Sequence, residues 1–204
     1  MKSYLKTLSK LISAEVAAKV ILGVISIVCV AFMEPNEFAK YAFAVSIFIL
    51  LSSLIGSVFN IIYIVNVDID KYHSSLLLFQ LLIVVFFLCI FLNFRYLFSG
   101  LLLHTIILVA AQCIFLFNQT ARQKKLQFRS YYLAEYIRAG FFAAFVTVIY
   151  FRYEFSASNL LIAQIGATAL AIMPSIKMRT ISNNLDNFFA FKELVSIVVI
   201  SKMH

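Results

Sequence analysis

Six long apolar runs constrain the fold of this 204-residue chain more than any other feature. They cover residues 11–32, 41–65, 75–94, 99–118, 131–151 and 157–176. A helix needs about 20 apolar residues to cross the roughly 30 Å hydrocarbon core of a bilayer, and every run is long enough. The predicted fold is therefore all-α and integral to a membrane, with six transmembrane helices.

Composition excludes most other classes of protein. The chain is 63% hydrophobic and only 13% charged, whereas a soluble domain has about 25% charged residues. A net charge of +8 without a charge-rich domain does not predict a nucleic-acid partner. Cys29, Cys89 and Cys113 lie inside apolar runs, and the three histidines are scattered, so no metal site and no cofactor are expected. No catalytic motif is present, and we expect no enzyme.

The distribution of Lys and Arg predicts the orientation. With the N-terminus in the cytoplasm, twelve of the 17 basic residues fall on the cytoplasmic side and three, Lys40, Arg95 and Arg152, fall on the other. This asymmetry follows the positive-inside rule. The stretch QTARQKKLQFRS, residues 119–130, is expected to be the most basic cytoplasmic loop. The last two basic residues, Lys19 and Arg138, lie within predicted spans.

Charges inside predicted spans are the strongest functional signal. Glu15 and Lys19 are four residues apart, and Glu135 and Arg138 are three apart, so each pair shares a helix face and can form an ion pair. Two interpretations remain open. The pairs are salt bridges that lock the bundle, or they face a hydrated cavity where the cations attract an anionic substrate.

Polar and small residues form stripes on other spans. Asn60 ends a Ser/Gly stripe of the second span, Gln112 lies in the fourth, and Gln164 lies in the sixth. Such stripes either allow close helix packing or line a cavity, and the sequence leaves both readings open.

Two longer segments resemble a known family. EPNEFAKYAFAVSIFILLSSL, residues 34–54, is similar to the short external turn and second helix of flippases for lipid-linked oligosaccharides, of the O-antigen kind. ARQKKLQFRSYYLAEYIRAGFFAAF, residues 121–145, is similar to the basic loop and Glu-x-x-Arg entry of their fifth helix. These flippases belong to the multidrug/oligosaccharidyl-lipid/polysaccharide exporter superfamily.

The resemblance implies one lobe of a two-lobe exporter at residues 1–187 and the start of a seventh helix at 188–204. It implies a flippase of the bacterial inner membrane, active in O-antigen and lipopolysaccharide biosynthesis. An undecaprenyl-pyrophosphate-linked oligosaccharide would be its substrate, and membrane lipids and the polysaccharide polymerase machinery its partners.

The expected site follows from the polar residues within the spans. The residues expected to bind substrate are Lys19, Arg138, Asn60, Gln112 and Gln164. Glu15 and Glu135 would tune the charge of the cations or carry protons.

Three alternatives compete with transport by a single chain. One is a truncated remnant, or a structural membrane protein, that inserts but transports nothing. Another is a half-transporter that forms a homodimer to rebuild two lobes. A membrane enzyme is least favoured, because the only close acidic pair, Asp68 and Asp70, lies in a short predicted loop.

Overall fold

A computed structural model describes residues 16–17, 20–65, 73–93, 96 and 100–173, without the side chains of 57–59, 61–65, 73 and 74. Helices are the main regular structure of the described part, which contains no strand, and this confirms the all-α prediction for these residues. Its helices are α1 (Val20–Phe32), α2 (Pro35–Val65), α3 (His73–Leu92), α4 (Leu102–Lys124), α5 (Phe128–Arg152) and α6 (Ala157–Ile172).

Four helices of the described part, α2 to α5, are long and apolar enough to cross a membrane. Within the described residues α1 and α6 are shorter apolar helices. A helix satisfies its own backbone hydrogen bonds, so apolar side chains can face lipid without exposing unpaired backbone groups. The chain is a membrane protein by these criteria, while the count of six spans stays a prediction.

The start of α2 is fixed by local chemistry and by a contact to α6. Pro35 occupies the first helical position, where its missing N–H costs no hydrogen bond. The Glu37 carboxylate accepts a hydrogen bond of 2.9 Å from the backbone N–H of Ala157, the first residue of α6, and pairs with Lys40 at 2.6 Å. An anionic group is favourable at a helix N-terminus. Glu37 thus joins the starts of α2 and α6.

The central helix of the bundle is α4, which packs against α2, α3, α5 and α6. Half of its apolar span is buried, compared with 17% of the corresponding span of α3. Its most deeply buried apolar side chains are Leu108, Val109, Cys113 and Phe117. Many large apolar residues on the other helices are exposed, as expected of surfaces that face lipid.

Small residues let the helices approach closely. A Cβ added to Gly56 of α2 would lie 3.2 Å from Cδ1 of Leu116 in α4. One added to Gly166 of α6 would lie 3.1 Å from Cε2 of Phe145 in α5. For Gly56, a member of the predicted stripe on the second span, the structure supports the packing interpretation.

The prediction of a loop at residues 119–130 was wrong. Helix α4 continues through this basic stretch to Lys124, α5 begins at Phe128, and only residues 125–127 connect them. Leu126 in this connection has a positive φ of 54°. The basic residues misled the prediction because they mark the edge of the apolar span, whereas a helix continues wherever its backbone bonds and packing persist.

Candidate polar site between helices α4 and α5

An ion pair lies in the interior part of α5. Nη2 of Arg138 is 2.8 Å from Oε2 of Glu135, and the two side chains are 20% and 12% exposed. At about 1.5 Å of rise per residue, Arg138 lies about 15 Å beyond the first residue of α5, near the middle of a membrane-length helix. The expected pairing of these two residues is therefore present, and both side chains are largely buried in the bundle.

Helix α4 supplies further partners for the same guanidinium group. Nη1 of Arg138 donates to Oε1 of Gln112 at 3.0 Å, and its Cζ lies 4.6 Å from the centre of the Phe115 ring. A cation over an aromatic ring is stabilised by the ring quadrupole, more so when it is desolvated. Nε of Arg138 is buried without a hydrogen-bond partner among the described residues. The guanidinium is therefore held on three sides, and its Nε–H donor is unused among the described residues.

The network continues toward the α4–α5 connection. Nε2 of Gln119 donates to the backbone oxygen of Tyr131 at 3.1 Å and to Oε1 of Glu135 at 3.4 Å. Nη1 of Arg122 donates to Oε1 of Gln119 and to the backbone oxygen of Ser130, both at 3.0 Å. We call Gln112, Gln119, Arg122, Glu135 and Arg138 the polar seam. With two Arg and one Glu, its formal charge is +1.

Sequence spacing explains why the seam forms. On α4, residues 112, 115, 119 and 122 follow one another at intervals of three or four, as do 131, 135 and 138 on α5. Residues at such intervals lie on one face of a helix. The short connection makes α4 and α5 antiparallel, so the two faces meet with 112 near 138 and 119 near 131. The polar seam thus joins the part of α4 from Gln112 onward to the first half of α5, next to the connection between them.

Not all predicted binding residues belong to the polar seam. Glu135, Arg138 and Gln112 come together in it. Asn60 on α2 and Gln164 on α6 have buried side-chain oxygens, Oδ1 and Oε1, without a hydrogen-bond partner among the described residues. Within the described part of the chain, neither of these buried oxygens accepts a hydrogen bond from a residue of the polar seam. Glu15 and Lys19 lie outside the described residues.

Sequence reasoning missed three polar residues of the interior. Gln119 and Arg122 were assigned to the basic loop, although their helical spacing from Gln112 and Phe115 was a usable signal. Gln80 of α3 was also missed, although it is the only amide side chain in that helix. Gln80 is fully buried, and neither of its amide atoms has a hydrogen-bond partner among the described residues.

A depression in the described part of the chain lies away from the polar seam. It is open and shallow, with a volume of about 510 Å³, and it lies at the α5–α6 turn. Its lining residues are Tyr150, Phe151, Arg152, Tyr153, Glu154 and Asn159. Because aromatic residues are common at the membrane–water interface, we assign this depression to the interface and place the candidate site at the polar seam.

The polar seam contains amide, guanidinium and carboxylate groups; the guanidinium groups can bind anions, and all three kinds of group can hydrogen-bond to hydroxyl groups. No group of three His, Cys, Asp or Glu side chains suited to a metal ion occurs among the described residues. Comparisons with protein-family models, curated proteins and solved structures find no match for this chain.

Proposed function

We propose that the chain is one lobe of a flippase that moves a lipid-linked oligosaccharide from the inner to the outer leaflet of the bacterial inner membrane. The observation that carries the proposal is the polar seam, with its formal charge of +1 and Arg138 near the middle of α5. A central charge costs about 2.5–3.5 kcal/mol on the insertion scale. A charge retained at such a depth marks a pathway more often than a purely structural contact.

The proposed substrate explains the chemistry of the seam. A diphosphate and its attached sugars cannot cross hydrocarbon unaided, because they would lose their hydration. Arg138 and Lys19 would replace part of that hydration for the phosphates. Glu135 and Glu15 would limit the net charge or carry protons. In the described structure Gln112 holds Arg138, so we assign it a positioning role as well as contact with substrate.

Asn60 and Gln164 would contact sugar hydroxyls through the oxygens that lack a partner among the described residues. The remaining features of this function rest on the resemblance of residues 34–54 and 121–145 and on the charge asymmetry. They are a six-span lobe with a cytoplasmic N-terminus, a second lobe that completes the cavity, and contact with the polysaccharide polymerase machinery.

A structural membrane protein without transport activity is the second candidate. The contacts of Arg138 with Glu135, Gln112 and Phe115 favour it, because a cation engaged by three protein groups can serve to hold helices together. The two functions can be distinguished by measuring export in variants that remove or keep the positive charge at position 138.

Replacement of Lys19 and Arg138 by Gln tests the transport function. The assay is surface polysaccharide in a bacterial host that lacks its own flippase and carries the complete transporter. We expect the double Gln variant to abolish export, while Arg138→Lys, which keeps the charge, retains part of it. Membrane levels of each variant, measured by immunoblot, separate loss of transport from loss of folding.

Unchanged polysaccharide in a well-expressed Gln variant would reject the role of the cations. A half-transporter makes a different prediction, since cysteines introduced in α1 to α6 should form specific cross-links between two copies in membranes. Absence of both export and cross-linking would leave the structural function.

A further inference from the structure

Gln80 is one of five residues in the described part of the chain with a buried side-chain N or O atom that lacks a hydrogen-bond partner, and it is the one with two such atoms. It is 0% exposed, and both its amide oxygen and its amide nitrogen lack a hydrogen-bond partner among the described residues. By contrast, the hydroxyls of Thr105, Thr120 and Thr168 donate to backbone oxygens four residues earlier, at 2.9, 2.9 and 2.8 Å. Because buried polar groups in native proteins nearly always have partners, Gln80 requires a specific explanation.

A second unpartnered group lies in the same part of the bundle. Helices α2, α3 and α4 pack against one another, and Oδ1 of Asn60 on α2 is also buried without a partner in the described part of the chain. From helical rise, Gln80 lies about 10 Å beyond His73 and Asn60 about 8 Å before Val65. Val65 ends α2 and His73 begins α3 after only seven intervening residues in the sequence, and the two helices pack against each other. The two amides therefore lie at similar distances from the consecutive ends of these two helices.

The available atoms define the chemistry of a ligand. Gln80 offers a donor and an acceptor, and Asn60 offers an acceptor. A phosphate accepts hydrogen bonds only, and a metal cation takes acceptors only, so neither uses both kinds of atom. A hydroxyl group both donates and accepts. Two sources of hydroxyl chemistry are relevant here, a bound water molecule and a sugar.

We propose that Gln80, together with Asn60, forms a subsite for sugar hydroxyls between α2, α3 and α4, separate from the charged polar seam. This inference deepens the proposed function and rests on it, because it assigns the glycan of the substrate to this part of the bundle. Gln80 would then be retained for substrate contact at a cost in stability, a common trade-off at functional sites.

Two matched substitutions test the proposal. Gln80→Leu replaces an unpartnered buried amide by an apolar side chain of similar size, and Gln119→Leu does the same to an amide that joins Tyr131, Glu135 and Arg122. In the detergent-purified chain we expect the thermal midpoint to rise for Gln80→Leu and to fall for Gln119→Leu. In the export assay described above we expect Gln80→Leu to lower surface polysaccharide about tenfold, as loss of one good hydrogen bond would.

The outcomes are distinct. A raised midpoint with reduced export supports the subsite, provided that Gly140→Ala, a stabilising control, leaves export unchanged. A raised midpoint with unchanged export assigns the hydroxyl to water and overturns the sugar contact. A midpoint lowered as much as in Gln119→Leu makes Gln80 structural and overturns the proposal. Failure of wild type to export rejects the transport function itself, whereas export by wild type with no effect of Gln80→Leu rejects only the subsite.

Discussion

Replacement of Arg138 by Met should destabilise the bundle substantially. The change removes the 2.8 Å ion pair with Glu135, the 3.0 Å hydrogen bond with Gln112 and the contact with Phe115. It also leaves the Glu135 carboxylate, which is 12% exposed, without its cation. Breaking a buried ion pair by removing one partner costs about 3–5 kcal/mol. Because this pair keeps some exposure, we expect a loss of about 2–4 kcal/mol.

Thermal unfolding of the purified chain, followed by circular dichroism, measures the effect. For a chain of this length the expected loss corresponds to a midpoint about 4–16 °C lower. Arg152→Met is the matched control, since Arg152 is an exposed arginine in the last turn of the same helix. Its free energy of unfolding should change by less than about 0.5 kcal/mol.

A double-mutant cycle isolates the pair itself. Glu135→Gln added to Arg138→Met removes the stranded carboxylate, so the double variant should be more stable than the sum of the single effects by about 1 kcal/mol or more. If Arg138→Met shifts the midpoint no more than Arg152→Met, the ion pair does not stabilise the bundle and the reasoning is refuted.

Changes at three further positions test how α6 packs against α5 and how its first residue is held by α2. Gly140→Ala, where no atom lies within 4 Å of the new Cβ, should raise the midpoint, since Ala is favoured over Gly in a helix by about 1 kcal/mol. Gly166→Ala should be less stable than Gly140→Ala, because its Cβ would meet Phe145 at 3.1 Å; equal midpoints would contradict the close packing. Glu37→Ala should speed hydrogen exchange at the Ala157 amide by about tenfold, whereas Glu37→Gln, which keeps an acceptor oxygen, should change it less. Equal exchange in the two Glu37 variants would show that this acceptor does not protect the amide.

Local spacing accounts for the parts of the site that sequence predicted correctly. Glu135 and Arg138 are three residues apart on one helix, so their pairing required only that α5 form. The partner of Arg138 on α4 could not be predicted from local spacing. Gln112 was identified as a polar residue of the fourth span, but nothing in its neighbourhood indicated that it would contact Arg138, 26 residues away.

The boundary between α4 and α5 shows where composition misleads. Hydropathy ends a span where charges begin, but Arg122 is buried and donates to Gln119 and Ser130 within the bundle. A long side chain can carry its charge to such partners while its backbone stays helical. The helix therefore continued through a stretch whose composition indicated a loop.

The sequence by itself determined that the described part of this chain is helical and apolar enough for a membrane, and that Glu135 and Arg138 share one face of a membrane-length helix. Only the tertiary structure decided which amides meet those charges and which, like Gln80, meet none. The physical reason is that helix formation and ion pairs within a helix depend on neighbours along the chain. The rotation and register of one helix against another depend instead on many weak packing contacts, such as those at Gly56 and Gly166, that no short stretch of sequence contains.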